Sequence, residues 1–178
     1  MKSTGFKRFL CLLTAAILLC ATVPVYSDAV KAAEDLPLPI GTPNPASGFM
    51  FTGQSYVYQM VERDEVWNAD AMVNVSFEPC CRTDWHSHAG GQILIAVGGI
   101  GIHQVEGQEP QLLLPSTVAR VEPGKMHWHG ATKESWFQHI AVETNPESRG
   151  LNVGNEVTDE EYLTSLRRAA ALSLNQPD

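Results

Sequence analysis

Trp85-His86-Ser87-His88-Ala89-Gly90-Gly91-Gln92-Ile93-Leu94-Ile95-Ala96-Val97-Gly98-Gly99 is the stretch on which the reading of this chain turns. Side chains two apart on a β-strand share a face, so His86 and His88 reach toward one point. The Ala89-Gly90-Gly91 break permits a tight turn. Gln92 then opens an apolar run that reads as the returning strand, which makes a hairpin the expectation. Two imidazoles and an amide oxygen would face one side of it. Farther along, His127-Trp128-His129 repeats the two-apart spacing. Five of the six histidines lie in these windows or at His139. A single histidine on an apolar face is an ordinary core residue, but two paired clusters flanked by strand patterns point to a metal site.

Not all of the 178 residues belong to the fold. Lys2, Lys7 and Arg8 precede an apolar run from Phe9 to Val25, and Val25 and Ser27 occupy the −3 and −1 positions of a cleavage point. Residues 1–27 therefore read as a secretory signal peptide. The competing reading is a membrane anchor, for which the apolar run is short. Polar Ser27-Asp28 and the scarcity of positive charge beyond them favour cleavage. The expected location is the periplasm or the cell exterior, without stable membrane association after cleavage. Leu18-Leu19 before Cys20 argue against a lipidated cysteine.

The remainder is long enough for one domain with a real core. The net charge is −8, and residues 1–27 carry three basic and no acidic residues, so the cleaved chain stands at −11. That surface argues against nucleic acid and anionic membranes as partners. Of four cysteines, Cys11 and Cys20 leave with the leader and Cys80-Cys81 stay as an adjacent pair. A strained vicinal disulfide, a redox-sensitive dithiol and two small residues filling a turn are the three readings of that pair.

Residues 28–48, with Pro37, Pro39, Pro43 and Pro45, read as a Pro-rich arm lying on the domain or as a linker. The domain itself is residues 49–178. Gln54 to Val61 and Ala71 to Phe77 alternate, the second with Val73, Val75 and Phe77 on one face. Glu78-Pro79-Cys80-Cys81 is a turn before the His86 strand. Gly98-Gly99 reads as a hairpin turn into Ile100 to Val105; Gln111 to Leu114 and Val118 to Val121 follow. Met126 to Gly130 carries the second histidine pair. Ser135 to Glu143 is a last strand, with Phe137, His139 and Ala141 on one face. Short strands at this spacing predict an antiparallel sandwich or barrel. Thr158-Asp159-Glu160-Glu161 then forms a capping box for one C-terminal helix over residues 158–173, packed on the domain or on a second subunit. His103 has no partner cluster and reads as a surface or inter-strand residue. Arg82 and Lys125 read as solvated turn charges. Trp85, Trp128 and Trp136 read as wall and core.

His86-x-His88-x3-Gln92-x6-Gly99 resembles the first motif of the cupin superfamily, with Gln92 where most members carry glutamate. Pro123-Gly124-x2-His127 resembles the second, with its proline one place late and Ala131 in place of the usual asparagine. The resemblance covers roughly residues 71–143. It implies an all-β fold, a double-sheet jelly-roll (cupin) barrel with one C-terminal helix. Gln92, the string His127-Trp128-His129-Gly130-Ala131 and the tail Val157 to Tyr162 are similar to the small bacterial cupins that include manganese-dependent hydroxynitrile lyases. That resemblance implies His86, His88, Gln92 and His127 as metal ligands, with His129 and His139 lining the pocket. Val73 and Glu143 depart from the group's pocket residues.

Three neutral imidazoles and an amide oxygen suit a divalent ion with positions left open for substrate. Manganese and iron are the first expectations, and zinc and nickel are also compatible. An amide at position 92 leaves the ion's charge uncancelled, which makes it a stronger Lewis acid, more loosely held. The leading expectation is a metal-dependent lyase acting on a small oxygenated substrate, with His129 or His139 moving the proton. An iron-dependent dioxygenase and a non-catalytic small-ligand-binding barrel are the alternatives, since the fold alone does not choose among them. A homo-oligomer is expected.

Overall fold

The computed structural model describes residues 29–62 and 71–174. The expected leader and the last four residues lie outside that range. Within the described residues a single 3-10 turn (Ala33–Asp35) precedes thirteen strands and one α-helix, in chain order: β1 (Thr42–Pro43), β2 (Phe51–Thr52), β3 (Ser55–Val61), β4 (Met72–Phe77), β5 (Arg82–Thr83), β6 (His86–His88), β7 (Gln92–Gly99), β8 (Gly101–Val105), β9 (Gln111–Leu113), β10 (Val118–Val121), β11 (His127–Ala131), β12 (Phe137–Glu143), β13 (Leu151–Val153) and α1 (Asp159–Ser173). They build two antiparallel sheets. The first runs β1-β3-β4-β12-β7-β10, and the second runs β13-β6-β11-β5-β2 with β8 and β9 continuing from β11. This is the jelly roll that the sequence implies, with its sheets face to face and not joined into a closed barrel.

Strand alternation explains what each sheet buries. On β7, Gln92, Leu94 and Ala96 are buried while Ile93, Ile95 and Val97 are only partly so. Phe77, Leu94, Ala96, Leu113, Ala119 and Phe137 fill the space between the sheets. Burial of such side chains gives roughly 1.5–3 kcal/mol each, which holds the sheets together. On β11 the same alternation separates two environments. His127 and His129 point between the sheets, whereas Trp128 packs outward with Ile102, Tyr162 and Ala169 under α1. Trp128 also donates to Gln104 Oε1 at 3.2 Å, and Ser165 of the helix donates to the same oxygen at 2.9 Å.

The capping box at Thr158 and Glu161 is present as expected, with Glu161 N donating to Thr158 Oγ1 at 3.2 Å. Arg82 is not the solvated turn charge that its setting suggested. It is 2% exposed. Its Nε donates to Val157 O at 2.9 Å, its Nη2 pairs with Asp159 Oδ1 at 2.8 Å, and its guanidinium lies 4.8 Å from the Tyr162 ring centre. A guanidinium survives burial when its donors are satisfied, and the start of α1 satisfies them here.

Residues 29–41 run along the outer face of the first sheet, where β4 and β12 carry polar residues. Gln138 exchanges two hydrogen bonds with Leu38, both 3.0 Å, and Asn74 Nδ2 donates to Pro39 O at 3.0 Å. That contact is why Asn74, Ser76 and Gln138 are fully buried on a face that would otherwise meet water.

The hairpins expected at Ala89-Gly90-Gly91 and Gly98-Gly99 do not form. β6 and β8 belong to the second sheet and β7 to the first, so each turn carries the chain across the sandwich. Gly91 makes the first crossing possible. Its φ is +85°, and an added Cβ would sit 2.8 Å from Val121 O. The strands β1, β2, β5 and β13 span two or three residues, too short to show a period of two in the pattern of side chains.

Candidate metal centre

The crossing at Gly91 places the histidines of β6 opposite the inward face of β7 and beside β11. His86 and His127 are cross-strand partners, with ring centres 4.2 Å apart. One nitrogen from each of His86, His127 and His129 lies within 4.8 Å of the other two. His88 is the next ring, 5.2 Å from His86 and 5.8 Å from His127. Gln92 Oε1 reaches across from the other sheet to 3.0 Å from His127 Nε2. The four residues expected to hold metal and His129 thus meet in one place. They converge across the space between the sheets and not along a hairpin.

Local contacts fix how three of the rings are turned. His86 Nδ1 lies 2.9 Å from Asp84 O, His127 Nδ1 lies 3.2 Å from Lys125 O, and His88 Nδ1 lies 3.1 Å from Glu143 Oε1. With a proton on Nδ1, His86 and His88 keep an Nε2 lone pair, the arrangement metal-binding imidazoles require; His127 has an oxygen at each nitrogen, Lys125 O and Gln92 Oε1, and as a neutral ring donates to one of them. His129 is held differently: its backbone N–H donates to Thr83 Oγ1 at 3.1 Å, and its Nδ1 has no partner among the described residues.

Burial keeps His86, His127 and His129 neutral. Desolvation, with the neighbouring His127 adding to it, pushes His86 down to about 3. Desolvation likewise lowers His127 to about 3 and His139 to about 3, and it carries His129 well below the ordinary histidine range. A neutral imidazole has a lone pair to give to a cation or a proton. Glu143 is lowered too, but for another reason: its hydrogen bond to His88 holds the carboxyl below the usual glutamate value, against the opposing effect of burial.

Beyond the cluster, His139 packs 4.8 Å from His129 and 5.5 Å from both Phe77 and Phe137, ring centre to ring centre. Neither of its nitrogens has a partner among the described residues. His103, read from sequence as a surface or inter-strand residue, is buried. It faces His129 across the β8–β11 ladder, and burial lowers it to about 4. Gln111 Nε2 lies 3.2 Å from its Nδ1, while its Nε2 is unpartnered. The alternation Gly101, His103, Val105 contains the inward face, but the register that sets His103 against His129 is not written in β8 alone.

The donor set fits a divalent metal ion: inward lone pairs on neutral rings, orienting contacts behind them and an amide oxygen alongside. Buried nitrogens on His103, His129 and His139 have no partner among the described residues and cost about 1–3 kcal/mol each if nothing engages them.

No protein-family model matches the chain. It is 38% identical over 92 residues to the (R)-mandelonitrile lyase of Granulicella tundricola, across 52% of this chain and 70% of that one. Among solved structures, a cupin-like protein of Thermotoga maritima superposes with a TM-score of 0.67 and 35% identity, over 74% of this chain and 97% of the other. A cupin-2 domain protein of Rhodospirillum rubrum superposes with a TM-score of 0.53 at 13% identity, over 75% and 85% of the two chains, a likeness of fold alone. With the jelly roll, the two histidine pairs and these relatives taken together, the chain belongs to the cupin superfamily.

Proposed function

We propose that this cupin is a metal-dependent lyase that breaks a carbon–carbon bond in a small hydroxynitrile, with His86, His88, Gln92 and His127 as ligands and His129 as the proton carrier. One observation carries the assignment: His86, His88 and His127 each have Nδ1 set against an oxygen behind the ring, whereas His129 stands in the same cluster without that anchor. Manganese or iron suits the donors, as do zinc and nickel. The bound ion supplies a Lewis acid that draws electrons from a substrate oxygen.

The chain's own residues do the rest. Phe77 packs on His129 and His139, and Phe137 on His139, so the inner side of the cluster is apolar and shielded from water. His129, neutral in the folded protein, takes the substrate hydroxyl proton. The carbon–cyanide bond then breaks, its electron pair leaves with cyanide, and a carbon–oxygen double bond forms in the aldehyde. The imidazolium returns its proton to cyanide, which departs as hydrogen cyanide. His139, 4.8 Å from His129 by ring centres, orients the leaving group or shares the proton. A base of such low proton affinity acts only on a hydroxyl already made acidic, which fits a site built around a cation.

The lyase relative supports the substrate class, and the cluster geometry supports His86 and His127 as ligands, with His129 beside them. Export to the periplasm or cell exterior is part of the same proposal and rests on Lys2, Lys7, Arg8 and the apolar run after them. The test is cyanide release from mandelonitrile by protein loaded with manganese or iron, against metal-stripped protein and His129→Ala. Turnover that needs both metal and His129 is the expected result. Stoichiometric metal without cyanide release from a panel of hydroxynitriles would remove the lyase reading and bring forward oxygen chemistry or simple ligand binding.

A further inference from the structure

Gln92 and Glu143 stand opposite each other as cross-strand partners on β7 and β12. Position 92 gives the cluster an amide, so the converging donors, four imidazoles and this amide, include no carboxylate. The carboxylate is one strand over. Glu143 Oε1 lies 3.1 Å from His88 Nδ1. The other two anchored rings rest on neutral backbone carbonyls, of Asp84 and Lys125. His88 alone rests on a full negative charge. A carboxylate behind a ligating imidazole raises the basicity of the ring and fixes its orientation.

The position of Glu143 within the fold suits that task. It ends β12, where the sheet opens to solvent, and its side chain is 49% exposed while that of His88 is 10% exposed. Water therefore solvates the outer side of the carboxylate, and the inner side faces the ring. Burying the same charge among the donors would oblige it to bind the ion directly and blunt its pull on substrate.

We propose that Glu143 is a positioning residue of the metal centre, which fixes His88 with Nε2 inward and supplies through that ring the negative charge that Gln92 does not. This rests on the ligand assignment made above. A half-exposed ion pair without such a role contributes little, and its removal would leave metal binding alone.

Cobalt(II) titration of the full chain, followed by chelator competition and by the visible absorption of the bound ion, tests the proposal in wild type, Glu143→Gln and the double variant Gln92→Glu/Glu143→Gln. Glu143→Gln should bind cobalt about 10–100-fold more weakly, the range seen when an outer partner of a ligand is lost. Moving the charge to position 92 in the double variant should recover most of that loss, which a purely structural contact would not do. Wild-type affinity in Glu143→Gln, or a double variant no tighter than Glu143→Gln, overturns the proposal. Absence of stoichiometric cobalt in the wild type is a different outcome: it removes the ligand assignment itself, and this proposal with it. The melting temperature of each metal-free variant confirms that the proteins compared are folded.

Discussion

His86 and His127 face each other on neighbouring strands with ring centres 4.2 Å apart, and each is locked from behind by a backbone carbonyl two residues before it in sequence. The carbonyls of Asp84 and Lys125 do the same work on β6 and β11. A donor pair held this rigidly loses little entropy on binding an ion, so preorganisation adds to affinity. It also makes the two rings hard to replace.

His86→Ala and His127→Ala should each abolish stoichiometric metal while the sheets persist. Both rings lie between the sheets, so some stability is lost with the packing, about 1–3 kcal/mol by analogy with other buried truncations. Elemental analysis alongside circular dichroism separates the two effects. Full metal occupancy in the His86→Ala/His127→Ala double variant would show that the ion sits elsewhere.

Gln138 ties the N-terminal arm to the first sheet through its paired hydrogen bonds with Leu38. Gln138→Ala removes both and leaves the Leu38 backbone groups to find water. The expected cost is about 1–3 kcal/mol. Limited proteolysis should then cut within residues 29–41 before any cut in the strands. Protection equal to wild type would mean that the arm is held by its apolar contacts.

These two sites show what a sequence makes visible. The paired histidines, Gln92 and the capping box at Thr158 were legible because each depends on short-range spacing: two along a strand, or three into a helix. What escaped was set by pairing between distant segments. His103 looked solitary on β8 because its partner, His129, lies on β11 and only the ladder register joins them. Arg82 looked solvated because the groups that satisfy it, Val157 O and Asp159, come from the far end of the chain. The mistaken hairpin at Gly91 has the same origin. A tight turn between two strands looks alike whether the strands pair or pass to opposite sheets.

Arg82 ties β5 to the beginning of α1, and the two sides of its ion pair should respond unequally. Asp159→Ala should cost about 1–2 kcal/mol, because that carboxylate is largely solvated but its loss leaves one donor group of the buried guanidinium unpaired. Arg82→Ala strands Val157 O and empties the space against Tyr162. Its cost should be about 2–4 kcal/mol. Denaturant melts of the two variants measure the difference, and equal effects would contradict a buried anchor.

Cys80 and Cys81 should differ sharply in reactivity despite being neighbours. Cys80 is exposed and held at a φ of +69°, whereas Cys81 is buried among the core side chains. Burial first, and the charge of Glu78 next, push the Cys81 thiol up to about 12. At neutral pH and well above it the residue stays a thiol, which does not attack alkylating reagents. Iodoacetamide on the native protein at pH 8 should therefore label Cys80 and spare Cys81, as peptide mass spectrometry reads it. Cys81 should be labelled only after unfolding.

Gln92→Glu probes the choice of an amide in the cluster. The substitution keeps size and reach and adds a negative charge beside the ion, where Gln92 Oε1 already lies 3.0 Å from His127 Nε2. Coulomb attraction at a separation of about 2 Å is large even when screened, so metal should be held more tightly. The new charge also sits across the ladder from Glu143, and repulsion between the two carboxylates offsets part of the gain in metal-free protein. With a carboxylate bound, the ion pulls less on a substrate oxygen. The hydroxyl proton then stays less acidic, and a base as weak as buried His129 is slow to remove it. Tighter metal with slower cyanide release is the expected pair of outcomes, read by chelator competition and a turnover assay with the same ion. Weaker metal, or faster turnover, would mean that the amide does not keep the ion electrophilic. Gln92 would then be a passive member of a ligand-binding site, and the lyase assignment would lose its chemical basis.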